Sequence, residues 1–164
     1  MSKILVINSG SSSLKLKVFD TNDFVELASG LCERIGIDGA FSFQYQDQKI
    51  TTPAPFPNHT SALEYIFEQL KKTKIITSFE EISAVGHRVV HGGSFFSQPV
   101  IVGEEELAKI RNCISLAPLH NPGAIAGIEA IRQLAPELVN VACFDTAFHQ
   151  TMPSESFTYA LPQD

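Results

Sequence analysis

KILVINSGSSSLKLKVFD, residues 3–20, consists of an apolar strand, a turn of small polar residues and a second strand that carries lysines. In the second strand apolar residues alternate with Lys15 and Lys17, so the two lysines share one face. Gly10 lets a ligand approach the backbone closely, and the N–H groups and serine hydroxyls of the turn can bind an anion. The segment predicts either a phosphate-binding turn or an ordinary β-hairpin with a polar loop.

Two better-known phosphate-binding loops do not match this turn. A P-loop requires GxxxxGK followed by Ser or Thr, and a dinucleotide-binding fold requires GxGxxG, whereas the next glycine after Gly10 is Gly30. The turn leads into a strand and not into a helix. We therefore expect a hairpin to hold any phosphate, with no helix dipole behind it.

The composition disfavours nucleic-acid-binding and membrane-spanning proteins. The chain has 164 residues, with 12 basic and 18 acidic side chains and a formal net charge of −6. Its single basic run, residues 71–74, falls where a predicted helix ends and cations are favourable, so nucleic acid is not an expected partner. Neither a signal peptide nor an apolar run long enough to span a membrane is present. We expect a cytoplasmic protein with no membrane partner.

The three cysteines, Cys32, Cys113 and Cys143, lie in apolar sequence. They show neither CxxC spacing nor a nearby pair of histidines, as a zinc site would. The pattern predicts reduced cysteines in the core of a cytosolic protein.

The first part of the chain reads as antiparallel β-structure. After the opening hairpin, a third strand is predicted at residues 24–35 and a further hairpin from Phe41 to about Thr51. Three prolines within residues 52–57 predict a rigid connector. Ser61 and Glu64 then match a capping box, and apolar residues follow at helical spacing up to Lys72.

From there the predicted elements alternate between strand and helix. They are a strand at 82–90, a helix from Glu104 to about Leu116, a helix at 122–134 capped by Asn121, and a strand at 138–144. Antiparallel hairpins followed by βαβ units predict an α/β fold with a mixed sheet and helices on its faces. Gly123 and Gly127 have GxxxG spacing, which in a short helix favours close packing against the sheet.

Arginine and histidine occur where the 82–90 strand ends, before a glycine pair. Arg88 can bind a carboxylate or phosphate with two parallel hydrogen bonds, or form a salt bridge with one of the acidic residues. His87 and His91 have the spacing of a zinc helix, but Val89 and Val90 favour a strand, which separates residues four apart by about 13 Å. Metal binding by this pair is therefore disfavoured.

His120 and Asp145 are two further candidate site residues. His120 stands between two prolines in the short link that joins two helices, so its direction is restricted. Asp145 follows an apolar strand, and in open sheets with crossover helices ligands bind beyond the carboxyl ends of strands. An aspartate there can meet a metal or a substrate proton, or it can cap a turn. His149 is a candidate hydrogen-bond partner for it.

Four separated motifs, in this order, resemble acetate kinase. They are Asn8 with the loop from Ser9 to Lys15, residues 87–93, residues 116–122, and FDTAFHQTMP at 144–153. The resemblance implies a ribonuclease H-like mixed sheet of the actin-like ATPase superfamily. It also implies that residues 1–164 form the N-terminal lobe, with a β-hairpin insertion near residues 37–57, and that the second lobe is absent.

The resemblance implies reversible, Mg²⁺-dependent phosphorylation of acetate by ATP to give acetyl phosphate and ADP, with Mn²⁺ as a substitute metal. It assigns Asn8 to the metal, Lys15 with Ser11 and Ser13 to the ATP phosphates, and Arg88 and Asp145 to catalysis. Arg88, Val90, Leu119 and His120, with His87 nearby, would bind acetate. The full-length protein would be a homodimer.

Acetate resembles a Glu side chain with a pKa of roughly 4.3, so it is already ionised at neutral pH and needs no general base. We therefore expect Asp145 to orient magnesium-bound water or neighbouring arginines. Because the adenosine pocket and further catalytic residues belong to the second lobe of the family, the fragment alone is expected to be inactive. A propionate or butyrate kinase, or a non-catalytic nucleotide-binding module, are the alternatives.

Overall fold

A computed structural model describes residues 2–162. Eight strands form one mixed sheet: β1 (Lys3–Ser9), β2 (Ser13–Asp20), β3 (Glu26–Glu33), β4 (Ala40–Tyr45), β5 (Gln48–Pro53), β6 (Ile82–Val89), β7 (Val100–Ile101) and β8 (Asn140–Phe144). Their order across the sheet is β5-β4-β3-β2-β1-β6-β8-β7. The helices are α1 (His59–Lys72), α2 (Glu104–Asn112), α3 (Asn121–Leu134) and the short α4 (Ser154–Phe157).

The pairing of neighbouring strands changes twice across the sheet, from antiparallel to parallel and, at the edge strand β7, back to antiparallel. From β5 to β1 each neighbouring pair is antiparallel, as expected for consecutive hairpins. Strands β1, β6 and β8 are parallel to one another, because α1 and α3 carry the chain back between them. The mixed α/β sheet predicted from the order of the motifs is confirmed, and the carboxyl ends of the three parallel strands meet at one edge.

The two faces of the sheet differ in burial. Leu5, Ile7 and the leucines of β2 are fully buried beneath α1 and α3, which supply Leu63, Ile66 and Ile131 to the same core. The opposite face presents exposed side chains, including those of Lys15 and Lys17. The alternation predicted for β2 is confirmed. Within residues 2–162 each helix is too short or too polar to cross a membrane.

The structure corrects the starts of two helices. Helix α1 begins at His59, and its capping box is formed by Asn58 and Ser61 and not by Ser61 and Glu64. Helix α3 begins at Asn121 with His120 in the cap position, so Asn121 is not the cap. Both errors come from reading a polar residue beside an apolar pattern as a cap without knowing where its side chain points.

Other element boundaries differ by a few residues from those predicted. Helix α2 ends at Asn112 and a separate 3₁₀ turn covers Ile114–Leu116. Strand β5 continues to Pro53, and an edge strand tolerates proline, which has no N–H, because one side of the strand has no neighbouring strand to bond. The third strand is shorter than predicted, and the two-residue β7 was not predicted.

Cys143 is the one cysteine whose predicted core position is wrong. Cys32 and Cys113 are buried, but Cys143 is exposed. It lies between Ala142 and Phe144, whose side chains face the helices, so strand alternation turns the thiol to the opposite face. Burial raises the pKa of the Cys32 thiol to about 12, which makes that thiol unreactive at neutral pH.

Candidate functional site

The predicted site residues on the parallel strands lie at the carboxyl edge of the sheet. Ile7 of β1 pairs with His87 of β6, and Arg88 pairs with Cys143 of β8. Asn8 and Arg88 therefore leave adjacent strands at the same level, and Asp145 follows directly after β8. This is the edge at which open α/β sheets bind ligands.

The turn at residues 10–13, here called the serine turn, joins β1 to β2 and brings Lys15 back to the same edge of the sheet. The Gly10 N–H donates to the Ser13 carbonyl at 2.8 Å, which closes the turn between β1 and β2. The antiparallel register then sets Lys15 opposite Asn8. A cation and an amide on adjacent strands thus share the exposed face of the sheet at its functional edge.

A cavity of about 230 Å³, here called the inner cavity, joins most of the predicted residues. Six of its lining residues were predicted from the sequence: Asn8, Ser13, Lys15, Arg88, Val90 and His120. Ser11 and Leu119 do not line it. They line the outer cavity, of about 650 Å³, which shares Gly10, Ser13 and His120 with the inner one. Apart from Asp145, the assigned residues therefore line two adjoining spaces at the turn between β1 and β2.

Asp145 lies next to the inner cavity and is joined to it through Arg88. The guanidinium donates from Nη2 to Oδ2 at 2.7 Å and from Nε to Oδ1 at 3.0 Å. Their side chains are 52% and 41% exposed, so both remain accessible to a ligand. The carboxylate raises the pKa of Arg88 through this hydrogen bond, and the guanidinium stays charged. Arg88 lines both the inner cavity and the space beside Asp145.

His149 is the residue that the sequence predicts as a candidate hydrogen-bond partner of Asp145. It lines the same space as Asp145, and its ring packs edge-on against Phe148 at 5.1 Å. The hydrogen bonds that the structure shows for the Asp145 carboxylate come from Arg88.

The start of a helix packs against the serine turn, although the sequence predicted a hairpin with no helix dipole behind it. A Cβ added to Gly123, in the first turn of α3, would lie 2.5 Å from the Gly10 carbonyl carbon. A Cβ added to Gly127 would lie 2.7 Å from Ser9 Cβ. The GxxxG motif thus allows close packing against the sheet, as predicted, and it brings the N-terminal turn of α3 against the turn that follows β1.

Asn121 has a tertiary role in place of the predicted cap. Its side chain is fully buried. Oδ1 accepts the His91 N–H at 3.2 Å and Nδ2 donates to the His91 carbonyl at 3.0 Å. This pair of bonds ties the segment after β6, which carries Val90, to the start of α3, which follows His120. Two of the predicted acetate-binding residues are held in register by it.

His87 does not line the inner cavity, although the resemblance had placed it near the acetate pocket. It is buried on the helix-covered face, the opposite face from Arg88, and its Nε2 lies 2.7 Å from Asn140 Oδ1. Asn140 Nδ2 donates to the Leu138 carbonyl, so Oδ1 accepts and His87 Nε2 donates. Burial lowers the pKa of His87 from 6.5 to about 4.

We predict that His87 makes the chain less stable in mild acid. The unfolded chain takes up a proton on His87 below pH 6.5, whereas the folded chain resists protonation down to about pH 4. Stability is therefore full above this window and decreases as pH falls through it. From about pH 7.5 to about pH 5.5 the free energy of unfolding should fall by about 1.3 kcal/mol through this residue.

Urea denaturation of wild type and His87→Gln at both pH values measures this effect. Glutamine keeps an Nε2 donor for Asn140 but does not titrate, so the difference between the two proteins isolates His87 from the other histidines. Equal losses of stability in both proteins would contradict the assignment.

Comparisons with known proteins show the family to which this chain belongs. Residues 3–164 match the model of the acetokinase family. The chain is 51% identical over 160 residues to acetate kinase of Mycoplasma capricolum and 49% identical over 164 residues to that of Agathobacter rectalis. It covers 40% and 41% of the lengths of these relatives, which in turn match 97% and 98% of this chain. The chain thus spans about two fifths of the curated relatives it matches.

Solved structures give the same result. Acetate kinase of Porphyromonas gingivalis superposes with a TM-score of 0.92 at 44% identity, over 99% of this chain and 42% of that one. A propionate kinase from Francisella tularensis superposes with a TM-score of 0.88 at 43% identity, over the same shares of both chains. The predicted actin-like ATPase fold is thereby confirmed. The chain belongs to the acetokinase family.

Proposed function

We propose that the full-length protein phosphorylates acetate with ATP, reversibly, to give acetyl phosphate and ADP, and that residues 1–164 are its N-terminal lobe. The inner cavity is the observation that carries this proposal, because it joins a lysine, an arginine and an amide at the carboxyl ends of parallel strands. Phosphoryl transfer needs positioning and charge neutralisation more than covalent chemistry. These residue types supply both.

The predicted site residues of the inner and outer cavities each have a physical role in this proposal. Lys15, with Ser11 and Ser13, binds the ATP phosphates at the turn. Arg88 binds the acetate carboxylate, while Val90, Leu119 and His120 border the acetate and limit its size. Leu119 is 78% exposed, which leaves a large apolar surface for a ligand or a second lobe to cover.

The donor set fits a magnesium ion held mainly by nucleotide phosphates. Among residues 2–162 no group of three His, Cys, Asp or Glu side chains is placed to bind a metal. Mg²⁺ usually takes one or two protein oxygens and completes its shell with water and phosphate. The Asn8 amide oxygen, at the inner cavity, would hold it, and Mn²⁺ would suit the same oxygens. The bound ion would neutralise phosphate charge.

Asp145 acts through Arg88 in this proposal. The Asp145 carboxylate accepts hydrogen bonds from the Nε edge of the guanidinium, and these bonds restrict the orientation of Arg88. Of the two roles expected for this residue, orienting a neighbouring arginine is the one that the ion pair supports. Acetate is ionised at neutral pH, so the reaction needs no general base.

We predict that Asp145→Asn in the full-length protein lowers kcat/KM for acetate about 10- to 100-fold, because one charge-assisted pair is weakened. The pH profile should not shift. Hydroxamate detection of acetyl phosphate from about pH 6 to about pH 9, repeated at several Mg²⁺ concentrations, measures this. An increased Mg²⁺ requirement would favour the role in orienting magnesium-bound water. A shifted pH profile with normal Mg²⁺ dependence would contradict both roles, and Glu137→Gln is a matched exposed control.

The same assay tests the function itself. The full-length protein should turn over acetate faster than propionate or butyrate, whereas the 164-residue chain alone should bind nucleotide weakly and form no acetyl phosphate. The likeness to a propionate kinase makes longer acids the main alternative. If propionate is turned over faster than acetate, propionate is the substrate and the proposal of acetate is wrong. If the 164-residue chain alone forms acetyl phosphate, the reaction does not need a second lobe. We also propose that the full-length protein is a homodimer.

A further inference from the structure

His59 contacts the serine turn from helix α1, although 49 residues separate it from Gly10. Its Nε2 lies 2.7 Å from the Gly10 carbonyl oxygen. A carbonyl oxygen only accepts hydrogen bonds, so Nε2 carries the proton and donates it. The motifs of the sequence did not single out this histidine for the site.

His59 is held by a rigid support. It is the first residue of α1 and lies within a capping box in which the side chains of Asn58 and Ser61 accept each other's backbone N–H groups. The helix then buries Leu63 and Ile66 completely in the main core. The half-buried imidazole therefore extends from a fixed helix terminus to the turn.

The bond to the Gly10 carbonyl determines the direction of the next N–H. In a planar trans peptide the C=O and the following N–H point in opposite directions. Because His59 holds the Gly10 carbonyl towards α1, the Ser11 N–H points away from α1. The Gly10 N–H to Ser13 bond and the contact with Gly123 restrict the same residue from other sides.

We propose that His59 is a positioning residue that orients the serine turn for the nucleotide phosphates. The inference rests on the proposed function for the identity of the ligand, but the hydrogen bond to Gly10 stands independently of it. Without this bond the turn samples more conformations, and binding of the phosphates must then order it. The effect should appear in nucleotide binding and not in acetate binding.

Three variants of the full-length protein test the proposal. His59→Phe keeps an aromatic side chain but removes the N–H donor, whereas His59→Gln keeps an Nε2 donor. Glu64→Ala, at an exposed position of α1, is the control. We expect His59→Phe to raise KM for ATP about three- to tenfold with KM for acetate unchanged, as for the loss of one hydrogen bond. His59→Gln and the control should stay near wild type. Equal KM values for ATP in all four proteins, or a parallel rise in both KM values, would overturn the proposal.

Hydrogen exchange separates this proposal from the kinase function. The Gly10 amide should exchange faster in His59→Phe than in wild type or His59→Gln, whatever reaction the protein catalyses. If it does so in a protein that does not phosphorylate acetate, the proposed function fails and the positioning role of His59 stands for another ligand. If Gly10 exchange is unchanged, the positioning role is overturned.

Nitrogen NMR of wild-type His59 provides a readout that does not depend on whether a variant folds. A proton on Nε2 in the folded protein supports the proposal. A neutral ring protonated on Nδ1 alone would overturn it.

Discussion

Replacing Arg88 by alanine in the full-length protein is expected to lower kcat/KM for acetate by about 10³-fold. Arg88 is the residue shared by the inner cavity and the space beside Asp145. Its loss removes the cation assigned to the acetate carboxylate and leaves the Asp145 carboxylate without its guanidinium partner. Two negative groups would then face each other near the transferring phosphoryl group, which raises the barrier further.

Arg88→Lys separates charge from geometry. Lysine keeps the positive charge but lacks the planar fork that binds a carboxylate through two parallel bonds. We expect it to recover only a small part of the loss. Lys17→Ala is the matched control, because Lys17 lies on the same face as Lys15 but pairs with Glu26 at 2.6 Å. An Arg88→Ala enzyme that stayed within about threefold of wild type would contradict the assignment of Arg88 to catalysis.

Gly123→Ala is expected to lower the free energy of unfolding by about 2–3 kcal/mol, the upper part of the range for overpacking. The new Cβ would lie 2.5 Å and 2.7 Å from the carbonyl carbon and oxygen of Gly10. Both atoms belong to the backbone, so no side-chain rotation relieves the contact. Either α3 moves away from the sheet or the serine turn moves, and nucleotide binding should weaken together with stability.

Gly86→Ala is the control for this substitution. Gly86 lies in β6, and an added Cβ would have its nearest contact at 3.8 Å, with the Leu5 carbonyl oxygen, which is ordinary van der Waals contact. Alanine there should leave stability unchanged or raise it slightly, because it restricts the unfolded chain. Urea denaturation of both variants gives the comparison. Similar stability of the two would show that α3 does not need a glycine at position 123.

Local sequence was sufficient to predict the positions of those site residues that depend on the alternation and the ends of strands. The alternation around Lys15 put the lysine on a polar face, and the position of Asp145 after an apolar strand put it at the carboxyl edge of the sheet. The same reasoning failed for Cys143 and Asn121. Their environments are set by which face of the sheet a helix covers, and by which distant backbone lies within reach of an amide.

Contacts between distant segments formed the rest of the site. His59 meets Gly10 without any sequence signal, and the GxxxG spacing predicted close packing of Gly123 but not its contact with Gly10, because each approach depends on how α1 and α3 pack on the sheet. The sequence by itself determined the order of the longer strands and helices, the residue types proposed for phosphoryl transfer and the family. The tertiary structure alone decided that Arg88 pairs with Asp145 and that two helices hold the serine turn, because these interactions form only when buried packing brings distant segments within hydrogen-bond range.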